Sequence, residues 1–345
     1  MSWVEREIRE QPEALARFLD AERDHVAAIV PELLLADVRY LLIASRGSSG
    51  NAARYAQYLL GSANRLPVAF STPSLYTLYD APPLLDAALA VGISQSGASP
   101  DVVSVLAEAR RQGRPTLAIT NDAHSPLARA AEWTLPLHAG EERAVAATKT
   151  YLNSLAAVGL LSATPAGDEQ RLHDLLAAPQ WVSRQVERSL ADAEALDQYR
   201  DGDGGAVVAR GINLGTAFEI ALKIRELSGA PYEAFSSADL LHGPIAALAP
   251  GLPVLVVAPS GATLENVRSS IAKLRERGSA VIAISDDEEL LAAADTRLAL
   301  AHAVPEWLSP LLAVIPGQVA ALRLATLRGG DVDHPAGLTK VTLTR

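Results

Sequence analysis

No cysteine occurs among the 345 residues. Disulfides, thiolate metal sites and a cysteine nucleophile are therefore excluded within this sequence. Aromatic residues make up only 5% and methionine occurs once, so the 49% hydrophobic content is largely Ala, Leu and Val. That composition suits helices laid on a buried parallel sheet. A basic surplus is lacking too: 30 Lys and Arg against 40 Asp and Glu give a net charge of −10. A nucleic-acid surface is not expected, and an anionic ligand must be held by local dipoles and one or two placed cations. Apolar runs such as 252–258 are strand-length and far short of a membrane span. The charged start Met1-Ser2-Trp3-Val4-Glu5-Arg6-Glu7 has no signal-like segment. A soluble, cytoplasmic protein with no membrane partner is the expectation, of one large or two ordinary domains.

What is present centres on one stretch, Gly92-Ile93-Ser94-Gln95-Ser96-Gly97-Ala98-Ser99-Pro100-Asp101. The apolar run 87–93 reads as a buried strand and 101–111 as an amphipathic helix. A polar, glycine-containing turn at such a junction offers free backbone N–H groups at the positive end of a helix dipole, which suits phosphate. Hydroxyls at Ser94, Ser96 and Ser99 add ligands without a cation. Ser99-Pro100-Asp101 alone makes a good helix start, but a cap does not account for Ser94-Gln95-Ser96. A nucleophile elbow is excluded because Ser96 stands where its last glycine must be. A Walker loop is excluded because the turn holds no lysine.

Along the chain, apolar spacing predicts helix over 5–34, interrupted or restarted at Pro12. Strands are expected at 38–44, 66–70, 87–93, 115–120 and 133–137. A second polar turn, Ser45-Arg46-Gly47-Ser48-Ser49-Gly50, precedes a helix over 51–60. A long apolar helix is expected over 144–163 and charged helices to 199. The pattern then returns: Arg46 and Arg210, like Ser96 and Ser260, are 164 residues apart. Two copies of one α/β unit follow, divided as 1–180 and 181–345, each a doubly wound parallel sheet. Only the first copy keeps the hydroxyl-rich turn.

Glu219, Lys223 and Glu226 share one helical face at i, i+4 and i+7. A surface salt-bridge ladder has the same spacing, but Phe218, Ile220, Ala221, Leu222, Ile224 and Leu227 around them indicate burial, and buried charges need partners or a purpose. His242 before Gly243-Pro244 can exchange protons near neutrality or simply cap a turn. Lys340 near the C-terminus is either a solvated charge or, between Pro335-Ala336-Gly337 and the β-prone Val341-Thr342-Leu343, part of an ordered strap. The other histidines show no paired ligand spacing, so no metal is expected.

At these residues the chain resembles the sugar isomerase (SIS) family, specifically the isomerase half of glucosamine-6-phosphate synthase and its stand-alone deaminase relatives. The resemblance runs from Glu7-Ile8-Arg9-Glu10-Gln11-Pro12 to Lys340-Val341-Thr342. It implies phosphate ligands at Ser94, Gln95, Ser96 and Ser99, and at the Gly47-Ser48-Ser49 turn. It implies proton transfer by Glu226 with Glu219 and Lys223 fixing it, and ring opening by His242 supplied from a neighbouring subunit of a homodimer. Lys340 would meet O1 or O2 of the open sugar or form a Schiff base. Val145 and Ala146, in a Glu142–Lys149 stretch that looks deaminase-like, would border the substrate. No cofactor is implied. Ala98 and Thr339 depart from the synthase pattern, which has Glu and Ala there. The chain starts where the synthase's isomerase half starts, so glutamine is not expected as nitrogen donor.

The resulting expectation is an isomerising deaminase that takes glucosamine 6-phosphate and water to fructose 6-phosphate and ammonia. A fructosamine-6-phosphate deglycase, an ammonia-dependent synthase and a non-catalytic phosphosugar sensor are the alternatives.

Overall fold

The computed structural model describes residues 1–35, 37–165 and 167–340. The chain opens with α1 (Trp3–Arg9) and α2 (Gln11–Leu35). The first repeat runs β1 (Tyr40–Ser45), α3 (Gly47–Ala63), β2 (Val68–Phe70), α4 (Ser74–Thr77), β3 (Ala88–Ser94), α5 (Pro100–Arg111), β4 (Thr116–Thr120), α6 (Pro126–Ala130) and β5 (Trp133–Pro136). Two long helices follow, α7 (Lys149–Ala163) and α8 (Glu169–Ala191). The second repeat runs β6 (Gly205–Ala209), α9 (Leu214–Ser228), β7 (Tyr232–Ser236), α10 (Ser237–Leu241), β8 (Pro253–Val257), α11 (Leu264–Glu276), β9 (Ala280–Ser285), α12 (Glu288–Ala292), β10 (Thr296–Ala299) and α13 (Ser309–Leu327).

All strand pairs are parallel, in two five-stranded sheets. Their orders, β2-β1-β3-β4-β5 and β7-β6-β8-β9-β10, are the same order repeated. The internal repeat read from the sequence is thus a repeat of topology, and its 164-residue offset recurs between Val68 and Tyr232, which open β2 and β7. β3 is buried at all seven positions, as a central strand covered on both faces must be. Its hydrophobic cluster joins Leu42 and Ala44 of β1 to Val102, Val105, Leu106 and Ala109 on the inner face of α5.

By contacts the chain divides into two compact units that interleave in sequence. Among the described residues, one holds 13–142, 149–177 and 339–340, with the first sheet; the other holds 1–12, 143–148 and 178–338, with the second. The sequence places one cut near 180. The first dozen residues go with the second sheet because of specific bonds: Asp333 accepts the backbone N–H of Trp3 at 2.7 Å, and Gln11 donates to Gln318 at 2.9 Å.

Two helix starts differ from the sequence expectation by four or more residues. α3 begins at Gly47 rather than 51, so Gly47, Ser48 and Ser49 form its first turn. α7 begins at Lys149 rather than 144. Residues 143–148 are drawn out of helix because buried Glu7 accepts the backbone N–H groups of Arg143 and Ala144, at 2.5 and 3.3 Å. One stretch, Glu306–Leu327, is long and apolar enough to cross a membrane by length and composition. The sequence reading of short apolar runs missed it because single polar residues interrupt it. Its most apolar window is 83% buried inside the fold, the mark of a core helix. Gly317 on α13 lies so close to α9 that a Cβ there would sit 2.2 Å from Ile220.

Candidate active site

In an open parallel sheet a ligand binds at the carboxyl ends of the strands where the crossovers change sides. In the first unit that point lies between β1 and β3. Their register pairs Ser45 with Ile93, so Arg46 and Ser94 leave the sheet side by side. The two polar turns singled out in the sequence therefore meet at one place. α3 and α5 both start there, and neither N-cap residue, Arg46 or Ser99, makes a side-chain capping bond. Apart from the Val102 N–H, which Asp101 accepts at 2.9 Å, the first-turn N–H groups of both helices are not capped by these side chains.

Gly97 shapes the second turn. Its φ of +58° is left-handed, and a Cβ would lie 2.2 Å from Ser125 Oγ. The hydroxyls of Ser94 and Ser96 accept the backbone N–H groups of Gly97 (3.1 Å) and Ala98 (3.3 Å), which holds the loop in a tight coil. Gln95 and Ser99 stand on the same loop, with the Gln95 carbonyl taking the Asn121 N–H at 3.1 Å. Gly97→Ala is expected to cost about 1–3 kcal/mol, the usual toll of a strained backbone. Thermal unfolding checks this, and an unchanged melting temperature would contradict it.

The matching turn of the second unit is satisfied from within. Gly261 faces the Glu306 carboxylate so closely that a Cβ would lie 2.6 Å from Oε1, and the Ser260 N–H donates to Asp286 at 2.7 Å. The Glu306 carboxylate thus stands against Gly261 where the Ser125 hydroxyl stands against Gly97.

The second unit instead carries the charged helix. On α9, Lys223 reaches Glu219 at 3.5 Å and donates a short hydrogen bond to Glu226. Glu219 and Lys223 are fully buried, whereas the Glu226 side chain is 23% exposed. Glu226 lines a pocket of about 450 Å³ with Arg225, Asp331, His334, Pro335 and Leu338 among its walls. Asp331 on that rim accepts the backbone N–H groups of His334 and Asp333, which holds its carboxyl below the usual range. The arrangement is one buried cation between two carboxylates, of which the outer alone reaches open space.

His242 lies at the C-terminal end of α10, exposed, and is not among the residues lining the Glu226 pocket. Val145 and Ala146 lie on the 143–148 segment, half-buried and buried. Lys340 belongs to the first unit, where its ammonium meets Glu142 at 3.0 Å. Glu142 also accepts the Thr150 N–H (3.1 Å) and hydroxyl (2.8 Å). Pro335 and Ala336 of the expected strap line the Glu226 pocket, while Val341, Thr342 and Leu343 fall outside the described residues. Glu142 as the seat of Lys340 was not legible beforehand. Its only sequence signal is a carboxylate placed to cap the helix that opens at Lys149.

Fold and turns together define a doubled, doubly wound α/β protein with two polar, glycine-containing turns meeting at one switch point. The SIS domain family model matches residues 34–163 and 206–328, and the chain belongs to that family. The isomerizing glutamine–fructose-6-phosphate aminotransferase of Thermococcus kodakarensis is 32% identical over 97% of this chain. The chain spans 57% of that relative's length. A Silicibacter pomeroyi DSS-3 protein provisionally described as a phosphosugar isomerase superposes with a TM-score of 0.88 at 33% identity, covering 96% of this chain and all of that one. Glucosamine-6-phosphate deaminase from Thermotoga maritima shares the fold, with a TM-score of 0.80 at 22% identity over 99% of this chain and all of its own.

Proposed function

We propose that the protein is an isomerising deaminase of amino-sugar phosphates, converting glucosamine 6-phosphate and water to fructose 6-phosphate and ammonia. The observation that carries this reading is the Glu219–Lys223–Glu226 array, with two members sealed and Glu226 reaching the pocket. A binding module has no use for a carboxylate so placed, whereas proton transfer between adjacent carbons requires one.

In this reading the phosphate is taken by the helix N–H groups and by Ser48, Ser49, Ser94, Gln95, Ser96 and Ser99. The ring opens, and Glu226 removes the proton from C2 and returns it to C1. The aldose amine thereby becomes a ketose imine, and water adds to C2 and expels ammonia. Lys223 holds the Glu226 carboxylate in place. Lys340, which pairs with Glu142 at 3.0 Å, faces the O1 or O2 oxygen or forms a Schiff base with the open sugar. His242, exposed in its own chain, opens the ring of a substrate held by a second copy in a homodimer. Val145 and Ala146 border the sugar.

Ammonia release from glucosamine 6-phosphate, followed with a coupled dehydrogenase, tests the reading. Steady production of one ammonia per fructose 6-phosphate is expected. Tight binding of the sugar phosphate without turnover would instead assign the protein to the sensors.

A further inference from the structure

An acidic protein that grips a phosphate through hydroxyls and helix ends still has to meet the charge of a dianion. The second polar turn also carries a cation, Arg46. Arg46, the N-cap residue of α3, donates from Nε and Nη2 to Asp101 Oδ2, at 2.9 and 2.8 Å. Asp101 is the second residue of α5, and its other oxygen accepts the Val102 N–H at 2.9 Å. The ion pair thus ties together the starts of the two helices that frame the switch point.

Its orientation is lopsided. The Asp101 side chain is 1% exposed and the Arg46 side chain 53%. The negative end is sealed and the positive end is open. A guanidinium has five N–H donors in a rigid fork; two go to Asp101, which leaves both on Nη1 and one on Nη2. In the second unit Arg210 stands at the same register, but Glu265, at the position of Asp101, pairs with Arg268 at 3.1 Å instead. The staple belongs to the unit whose two polar turns meet.

The geometry points to Arg46 as the charge-reading residue of the phosphate site: held by Asp101, it meets the second negative charge of a phosphate monoester. The site therefore selects dianionic phosphate over monoanionic headgroups of the same shape. Asp101 is a positioning residue, and without its arginine it would stand as a bare carboxylate beside the ligand. The inference rests on the phosphosugar reading above.

The test is titration calorimetry with fructose 6-phosphate at pH 5.5 and pH 7.5, on either side of the second phosphate ionisation near pKa 6. Wild-type protein is expected to bind more tightly at the higher pH. Arg46→Met should weaken binding at pH 7.5 about tenfold or more, the scale of a charge-assisted contact, and lose the gain with pH. Arg46→Lys should keep that gain. The double variant Arg46→Met/Asp101→Asn removes the buried charge, and so folds even if the single variant does not; it should bind more tightly than Arg46→Met where both fold, and should show no gain with pH. A pH gain retained without Arg46 overturns the inference alone. Wild-type protein that binds no hexose 6-phosphate at either pH overturns it together with the functional reading.

Discussion

Glu226→Gln is expected to lower kcat for ammonia release by about 10³-fold, within the span that a positioned general base contributes. The amide keeps the length and shape of the side chain and can still accept from Lys223, but it cannot take a proton from carbon. Affinity for fructose 6-phosphate should stay within a factor of about two, because the grip on the phosphate is assigned elsewhere. Stability should fall by about 1.5–3 kcal/mol, the scale of a charge-assisted hydrogen bond to the buried Lys223. Steady-state rates, calorimetry and a urea melt separate these three quantities. A variant retaining a tenth of the wild-type kcat would remove Glu226 from the proton path.

Lys223→Met carries the second large effect, and it falls on stability. The ammonium is sealed with Glu219, which has no route to water. Taking away one partner of a buried pair leaves the other charge desolvated, a loss of about 3–5 kcal/mol. Urea unfolding should show a lower midpoint with an unchanged slope. The combined change Glu219→Gln/Lys223→Met removes both charges and should recover more than half of that loss. If the double variant is no more stable than the single one, the cost lies in lost contacts along the lysine stem and not in charge.

The fold was legible because its signals are local. Runs such as 87–93 and 115–120, each followed by a helix pattern, predict a parallel sheet, and a constant offset between turns predicts its duplication. The ends of helices were less legible for a physical reason. Gly47-Ser48-Ser49-Gly50 has loop composition, yet it continues as helix once the strand register fixes its direction. Residues 143–148 have helix composition, yet Glu7 holds them out of it from more than a hundred positions away. The Glu219, Lys223 and Glu226 face was readable from spacing and surroundings. Arg46–Asp101 and Lys340–Glu142 were not, since nothing in a linear pattern tells which distant charges will share a hydrogen bond.

The bond between Trp3 and Asp333 spans 330 positions, and it sets a timetable for birth on the ribosome. At roughly 10 residues per second, the opening helix waits on the order of half a minute for the segment that receives it. Val4 and Ile8 are sealed in the folded chain, and the part of their helix's packing that α13 supplies comes only at the end of that interval. The docking of α1 is thus among the last acts of folding, not the first.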